Sequence, residues 1–219
     1  MRGNDVHPEL AGLLALQPYT VVLDGLVLRI GEDVFPPDLG RCARNLARVC
    51  GEYRARCALD MGCGSGYLAL VLAQLGVGVV WAADVHDPAV ACARGNVARN
   101  QHAGPVTVVR SDLFEAIPAS LRFDLIVFNQ PFAPSAAASN GVCGCGPDGG
   151  HELTRRFLRD ARTRLAPDGV VVMPFSDRAP PAHDPMLAAR ELGLGARTLL
   201  HAHYAGANNF IHEFRTAET

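Results

Sequence analysis

Three carboxylates, Asp60, Asp84 and Asp112, each follow or close an apolar, β-prone run. A fourth such run, Phe123–Phe128, leads into Asn129-Gln130-Pro131-Phe132. Asp60 opens the loop Asp60-Met61-Gly62-Cys63-Gly64-Ser65-Gly66, with glycines at alternate positions and the apolar run Leu68–Ala73 beyond it. Glycine accepts positive φ and lets a backbone lie close to a ligand. The helix that follows offers free N–H groups and the positive end of its dipole. The chemistry implied is recognition of a nucleotide-like ligand. A dinucleotide fingerprint, Gly-x-Gly-x-x-Gly, would place its last glycine at position 67, where this chain has Tyr67. Asp84 lies about 20 residues past the loop, the spacing at which a carboxylate accepts from a ribose diol. Asp112, in Ser111-Asp112-Leu113, ends the next strand-like run. In open α/β sheets ligands bind beyond the carboxyl ends of the strands, so these acids should converge on one crevice.

The loop Asp60–Gly66 resembles motif I of class I S-adenosylmethionine (SAM) methyltransferases. Asn129-Gln130-Pro131-Phe132 resembles the Asn-Pro-Pro-Tyr/Phe motif of amino methyltransferases. Asp84–Asn100 is similar to the motif II helix of HemK/PrmC-type enzymes. So are Ser111–Phe114, Phe123–Phe132, Gly146-Pro147-Asp148-Gly149-Gly150 and Ala166-Pro167-Asp168-Gly169. The resemblance covers roughly residues 19–176. It implies SAM as cofactor, held by Asp60, Gly62, Cys63, Gly64, Gly66, Asp84, Val85, Ser111, Asp112, Leu113 and Asn129. It implies Asn129, Gln130, Pro131 and Phe132 as the catalytic set. In that set the Asn129 side-chain oxygen and the backbone carbonyl of residue 130 accept the N–H groups of a planar nitrogen, and Phe132 packs on the planar group. Catalysis of this kind is chiefly orientation and local electrostatics, because a conjugated nitrogen is a poor nucleophile until its lone pair is aimed. Gln130 departs from the family's first Pro. A carbonyl is still supplied, the loop loses rigidity, and a polar side chain enters the pocket.

The elements around these residues alternate. Residues 1–18 read as a short helix or irregular lead. Tyr19–Ile30 reads as a hairpin turned at Asp24-Gly25. Asp38 is expected to cap a helix to about Cys50. Strand Cys57–Asp60, helix Gly66–Leu75 and strand Val79–Ala83 follow. Helix Pro88–Gln101 comes next, with Asp87 as its cap. Strands Val106–Val109 and Phe123–Phe128 precede helix Glu152–Leu165, strand Val170–Pro174, helix Pro185–Leu192 and a final β pair over Ala196–Tyr204 and Phe210–Arg215. Repeated β-α units imply a parallel sheet with helices on both faces. The expected fold is α/β: a Rossmann-like, doubly wound, mostly parallel seven-stranded sheet with an antiparallel C-terminal strand pair and a short N-terminal β-hairpin extension. Residues 1–50 are read as the helix/β-hairpin extension and 51–219 as the methyltransferase domain.

At 219 residues and formal net charge −2 the chain can bury a substantial core and has no global electrostatic pull toward nucleic acid. Seven cysteines, an odd number, in apolar contexts read as reduced thiols of a cytoplasmic protein rather than a disulfide framework. No apolar run approaches the roughly 20 residues of a membrane span, and no secretory signal is evident. Cys143 and Cys145 with His151 are weak metal spacing, so no metal is expected. His201, His203 and His212 fall in the last strands, where 201 and 203 share a face. His86 and Asp87 read as capping residues, and Phe35 and Tyr67 as packing. Arg155, Arg156, Arg159, Arg162 and Arg164 crowd one helix and are the one feature that favours RNA.

The expected activity is SAM-dependent methylation of a planar or amide-type nitrogen on a small biosynthetic molecule. The reasons are Gln130, near-neutral charge, and the few residues before the hairpin where glutamine methyltransferases of release factors carry a docking domain. The alternatives are a protein glutamine, an RNA guanine, or a non-catalytic SAM-binding subunit. An activator subunit or a homodimer is the expected kind of protein partner.

Overall fold

The protein is seen in a computed structural model that describes residues 8–39, 41–130, 151–204 and 206–216. Helix α1 (Pro8–Ala15) leads into strands β1 (Tyr19–Leu23) and β2 (Leu26–Ile30). These form an antiparallel hairpin. Asp24 and Gly25 have φ of 49° and 79°, the two positive values that a tight hairpin turn demands. On β2, Leu26, Leu28 and Ile30 are buried while Val27 and Arg29 alternate outward. Helix α2 (Cys42–Cys50) follows, burying Ala43, Leu46, Ala47, Val49 and Cys50.

The main unit alternates strand and helix: β3 (Cys57–Met61), α3 (Tyr67–Gln74), β4 (Val79–Asp84), α4 (Asp87–Arg99), β5 (Val106–Arg110) and β6 (Phe123–Phe128). It continues with α5 (His151–Ala161), β7 (Leu165–Ser176), α6 (Pro185–Glu191), β8 (Leu194–Tyr204) and β9 (Ala207–Thr216). The seven-stranded sheet has the order β5-β4-β3-β6-β7-β9-β8. The first five strands are parallel, and β9 pairs antiparallel with both β7 and β8. Each face of the sheet carries an apolar layer. Leu125 and Val127 of β6 join the layer containing the hairpin, α2 and α3. Ile126 and Phe128 join the other, with Phe157 and Leu158 of α5. The order reverses at β3, whose neighbours are β4 on one side and β6 on the other. Doubly wound sheets bind ligands beyond the strand ends at such a switch point, here past Met61 and Phe128, which are paired.

The hairpin is welded to α4. Asn100 accepts from the Val27 N–H at 2.9 Å and donates to the Val27 carbonyl at 2.9 Å. Asn96 repeats the pattern on Arg29, at 2.9 and 3.1 Å. Two asparagines one helical turn apart thus stand in for a neighbouring strand along β2 and pair backbone groups that would otherwise be left open. At the far side of the sheet, Glu213 accepts a paired contact from Arg197 at 2.8 and 2.9 Å, one from Arg215 at 2.6 Å, and the Tyr53 hydroxyl at 2.5 Å. This ties β8 and β9 to the segment entering β3.

Three expected local features differ. Asp38 does not cap α2; Arg41 holds that position without a side-chain bond, and Asp38 accepts from the Tyr19 hydroxyl at 2.5 Å. The cap of α4 is His86, and Asp87 instead pairs with Arg110 at 2.9 Å. Helix α5 stops at Ala161, so Leu165 already pairs with Phe123 in the sheet. Ala166–Gly169 is therefore a bulge inside β7 rather than a turn ahead of it. An added Cβ on Gly169 would stand 2.5 Å from the Phe123 carbonyl oxygen, so glycine is required there.

Candidate active site

Asp60, Asp84 and Ser111 all emerge at the carboxyl ends of neighbouring parallel strands, as the sequence predicts. Asp60 is 1% exposed. Its Oδ2 accepts from the Ala69 N–H at 3.0 Å, in the first turn of α3. Its Oδ1 is buried with no hydrogen-bond partner among the described residues. Burial raises the Asp60 carboxyl to about 8; the Ala69 N–H pulls it down and the Asp84 charge pushes it up. Burial also holds the neighbouring Cys63 thiol well above its ordinary value.

The loop glycines have distinct tasks. Gly62, Gly64 and Gly66 have φ of 64°, 51° and 79°. A Cβ on Gly62 would sit 2.9 Å from the Phe128 ring, and one on Gly66 would meet Ala93 at 3.2 Å. A Cβ on Gly64 would meet nothing within 4 Å among the described residues. Two glycines therefore serve packing, and Gly64 faces open space. Asp84 holds the loop in place: its Oδ2 accepts from the Gly64 N–H at 2.9 Å, and its Oδ1 from the His86 N–H at 3.0 Å. Asn96 adds a bond to the Ser65 carbonyl at 2.9 Å. Tyr67 donates its hydroxyl to Asp24 of the hairpin turn. The residue that breaks the dinucleotide pattern thus links the loop to the hairpin.

Ser111 shapes the next turn. Its hydroxyl donates to the Leu113 carbonyl at 2.7 Å and accepts from the Ala116 N–H at 2.9 Å, with Leu113 at φ 47°. A pocket of about 420 Å³ is lined by Val85, Arg110, Ser111, Asp112, Glu115 and Ala116. The Asp112 carboxylate accepts from Arg156 of α5 at 3.0 Å.

Asn129 and Gln130 follow the end of β6 and reach opposite faces of the sheet. The Asn129 Oδ1 accepts from the Cys42 thiol at 3.4 Å, on the first residue of α2. Burial pushes that thiol up to about 12, so it remains a proton donor. The Gln130 Oε1 accepts from the Thr154 hydroxyl of α5. Gln130 is 3% exposed, and its Nε2 is buried without a partner among the described residues. Pro131 and Phe132, like Cys143, Cys145 and Gly146–Gly150, lie outside the described residues.

Several side features resolve. Each of the arginines that would favour RNA has an intramolecular partner. Arg155 pairs with Glu191 at 2.6 Å, Arg156 with Asp112, and Arg159 with Asp160 at 3.0 Å. Arg162 donates to the Leu192 carbonyl at 3.3 Å. Arg164, which lies beyond α5, donates to Pro118 at 2.9 Å and stands 5.5 Å over the Phe114 ring. His201 and His203 are exposed and both reach Asn208, whereas His212 is buried beside Thr198 at 3.1 Å. Burial lowers the His212 pKa. Among the described residues no group of three or more His, Cys, Asp or Glu is placed to hold a metal ion. Among the described residues no helix is long and apolar enough to cross a membrane. Sequence reading did not find Cys42, Asn96 or Thr154. Only Asn96, four residues before Asn100 in a helix, carried a signal, since two amides one turn apart share a face.

The donor set fits SAM. A buried carboxylate oxygen without a partner suits a cationic amino group. An open glycine backbone suits close approach, and a polar pocket beside two acids suits a nucleoside.

The strand order, the switch-point crevice and the glycine loop define a class I methyltransferase fold. The chain belongs to the methyltransferase small domain family, whose model matches residues 38–183, and its cofactor class is SAM. It is 32% identical over 171 residues to a tRNA1(Val) (adenine(37)-N6)-methyltransferase of Parabacteroides distasonis, covering 73% of this chain and 65% of that protein. It is 36% identical over 126 residues to a ribosomal protein uL3 glutamine methyltransferase of Bordetella pertussis, covering 53% and 42%. The chain therefore spans less than two thirds of the length of these curated relatives. Among solved structures, the Thermus thermophilus 16S rRNA N2 G1207 methyltransferase with AdoMet and guanosine aligns at TM-score 0.67 and 21% identity, covering 91% of this chain and 50% of that one. That likeness shows the fold.

Proposed function

We propose that this protein is a SAM-dependent N-methyltransferase whose acceptor is a conjugated NH2 group on a macromolecule of translation. The observation that carries the reading is the placement of Asn129. It stands just past β6, beside β3 across the switch point, with its side-chain carbonyl fixed by a donor. Asp60, Gly62, Cys63, Gly64, Gly66, Asp84, Val85, Ser111, Asp112 and Leu113 hold the cofactor. When bound, SAM supplies an electrophilic methyl group on a sulfonium. The residues of this chain orient the nucleophile. The Asn129 Oδ1 keeps lone-pair capacity beyond the Cys42 contact and accepts one N–H of the acceptor. The Gln130 backbone carbonyl accepts the other, and Phe132 packs on the planar group. This aims the nitrogen lone pair while it is still conjugated, so no strong base is required.

The acceptor class follows from chemistry that the named relatives share. An adenine N6 and a glutamine amide are both NH2 groups conjugated to a neighbouring lone-pair acceptor. The small biosynthetic acceptor expected from sequence has no counterpart in those two names. The resemblance to HemK/PrmC-type enzymes supports the same nitrogen chemistry. In this reading residues 1–50 are an extension to a methyltransferase domain of residues 51–219, and α2 is the part of it that reaches Asn129.

The test uses methyl-labelled SAM with tRNA, ribosomes and release factors from cells lacking this gene. Label is expected in one macromolecular fraction, with nuclease or protease sensitivity naming its class. Asn129→Ala should lower transfer at least ~100-fold, the scale of one lost orienting interaction, and far more than it lowers SAM affinity. Label confined to small molecules would overturn the macromolecular acceptor, and absence of SAM binding by calorimetry would overturn the activity.

A further inference from the structure

We propose that the Asn129–Gln130 pair is positioned by a two-sided clamp, with Cys42 of α2 on one face of the sheet and Thr154 of α5 on the other. The inference rests on the function proposed above and deepens it. In the related motif a proline follows the asparagine and stiffens the strand exit. Here Gln130 takes that place, and a backbone N–H and rotatable φ return with it. Nothing local in Asn129-Gln130 replaces the lost rigidity.

The replacement is tertiary. Successive residues of an extended chain point to opposite faces. Val127 and Phe128 already lie in opposite apolar layers. Asn129 and Gln130 continue the alternation and meet helices on opposite sides. Cys42, 87 residues away in sequence, donates to the Asn129 Oδ1 at 3.4 Å. Thr154, 24 residues away, donates to the Gln130 Oε1. Both helices are anchored in the core, α2 by Leu46 and α5 by Phe157, each fully buried.

The clamp has a chemical consequence on each side. An asparagine amide can turn over and present either its oxygen or its NH2. A thiol donor on Oδ1 favours the orientation that keeps the carbonyl in place. One lone pair is engaged, and the other is left for the acceptor's N–H. Turned over, Asn129 would offer a donor to a donor. On the other side, the Thr154 bond holds the Gln130 side chain and, through it, the backbone carbonyl of the same residue. Cys42 and Thr154 are positioning residues: they act through Asn129 and Gln130 and need not touch the acceptor.

The test compares Cys42→Ala, Cys42→Ser, Thr154→Val and Thr154→Ser in the full chain. Thr154→Val keeps the shape and removes the hydroxyl. With the labelled macromolecular fraction as probe, Cys42→Ala and Thr154→Val should each lower kcat about tenfold to 100-fold, the scale of small misplacements at a reacting centre. KM and SAM affinity should stay within about threefold, a negligible energy on this scale. The serine variants, which keep a donor, should recover most of kcat. Wild-type kcat in both Cys42→Ala and Thr154→Val would overturn the clamp, as would SAM affinity falling in step with kcat. A second readout needs no acceptor. The side-chain amide resonances of Asn129 and Gln130, assigned by their loss in Asn129→Asp and Gln130→Glu, should be single and sharp in the wild type. They should broaden or double in Cys42→Ala and Thr154→Val respectively. Unchanged resonances would overturn the clamp even if the wild type transferred no methyl to any fraction, a result that would count only against the proposed function.

Discussion

The two sides of the switch-point crevice are built by different means. On the β3-β4-β5 side, carboxylates and a serine bind backbone groups. Asp60 reaches Ala69, Asp84 reaches His86 and, across to the neighbouring loop, Gly64, and Ser111 closes on Leu113 and Ala116. On the β6 side, side chains bind side chains of α2 and α5, Cys42 to Asn129 and Thr154 to Gln130. The first side is set by backbone pairing within and between adjacent β-α units. The second exists only when α2 and α5 are docked. In the proposed reading the first side takes the cofactor and the second faces the acceptor.

Three measurements sharpen that contrast, in falling order of expected effect. Gly62→Ala should break the cofactor side through a local clash. The added Cβ meets the Phe128 ring at 2.9 Å while the residue is held at φ 64°. Overpacking and left-handed strain together should cost about 2–4 kcal/mol in a denaturant melt. A loss below ~1 kcal/mol, the ordinary range for a tolerated swap, would mean that the loop can rearrange.

Asn100→Ala tests how far the hairpin depends on α4. It leaves the Val27 N–H and carbonyl without their partners. The expected cost is about 1–3 kcal/mol, seen with faster hydrogen exchange along β2. Unchanged protection of β2 would show that the asparagine ladder is dispensable.

The smallest effect is electrostatic. Burial raises the Asp60 carboxyl to about 8, and Asp84, Cys50 and Cys63 are the titratable groups coupled to it. A raised carboxyl is protonated at neutral pH, and a cationic ligand favours the ionised form, so binding releases a proton. SAM affinity should therefore rise with pH and level off near 8. Below that point the rise should approach about tenfold per pH unit, as one linked proton requires. Asp60→Asn should flatten the profile, as read by calorimetry in buffers of different ionisation enthalpy. A wild-type profile that is already flat would remove Asp60 from contact with the charge.

Much of the fold was legible because it rests on local patterns. The hairpin at Asp24-Gly25 needed only two residues able to take positive φ. The alternation of apolar strands and helices implied the parallel sheet and the closing β pair, although β9 begins at Ala207, three residues before the strand expected at Phe210. The misreadings fall where two local signals competed. Asp87 and His86 are adjacent, and either could begin α4. Ala166-Pro167-Asp168-Gly169 has turn composition, yet it sits inside β7 because Phe123 draws Leu165 into the ladder. What pairs Arg155, Arg156 and Arg162, namely Glu191, Asp112 and the Leu192 carbonyl, is brought to them only by folding.

By itself the sequence determined the glycine loop, the acids at 60, 84 and 112 near the strand ends, and the position of Asn129 just past β6. Each depends on residue type at a fixed distance from a strand end, which one dimension can encode. The tertiary structure alone decided which glycine faces open space, that Tyr67 reaches the hairpin, and what holds Asn129 and Gln130. Those facts depend on contacts between residues tens of positions apart. No spacing in the chain records such a contact until the sheet has brought α2 and α5 to its two faces.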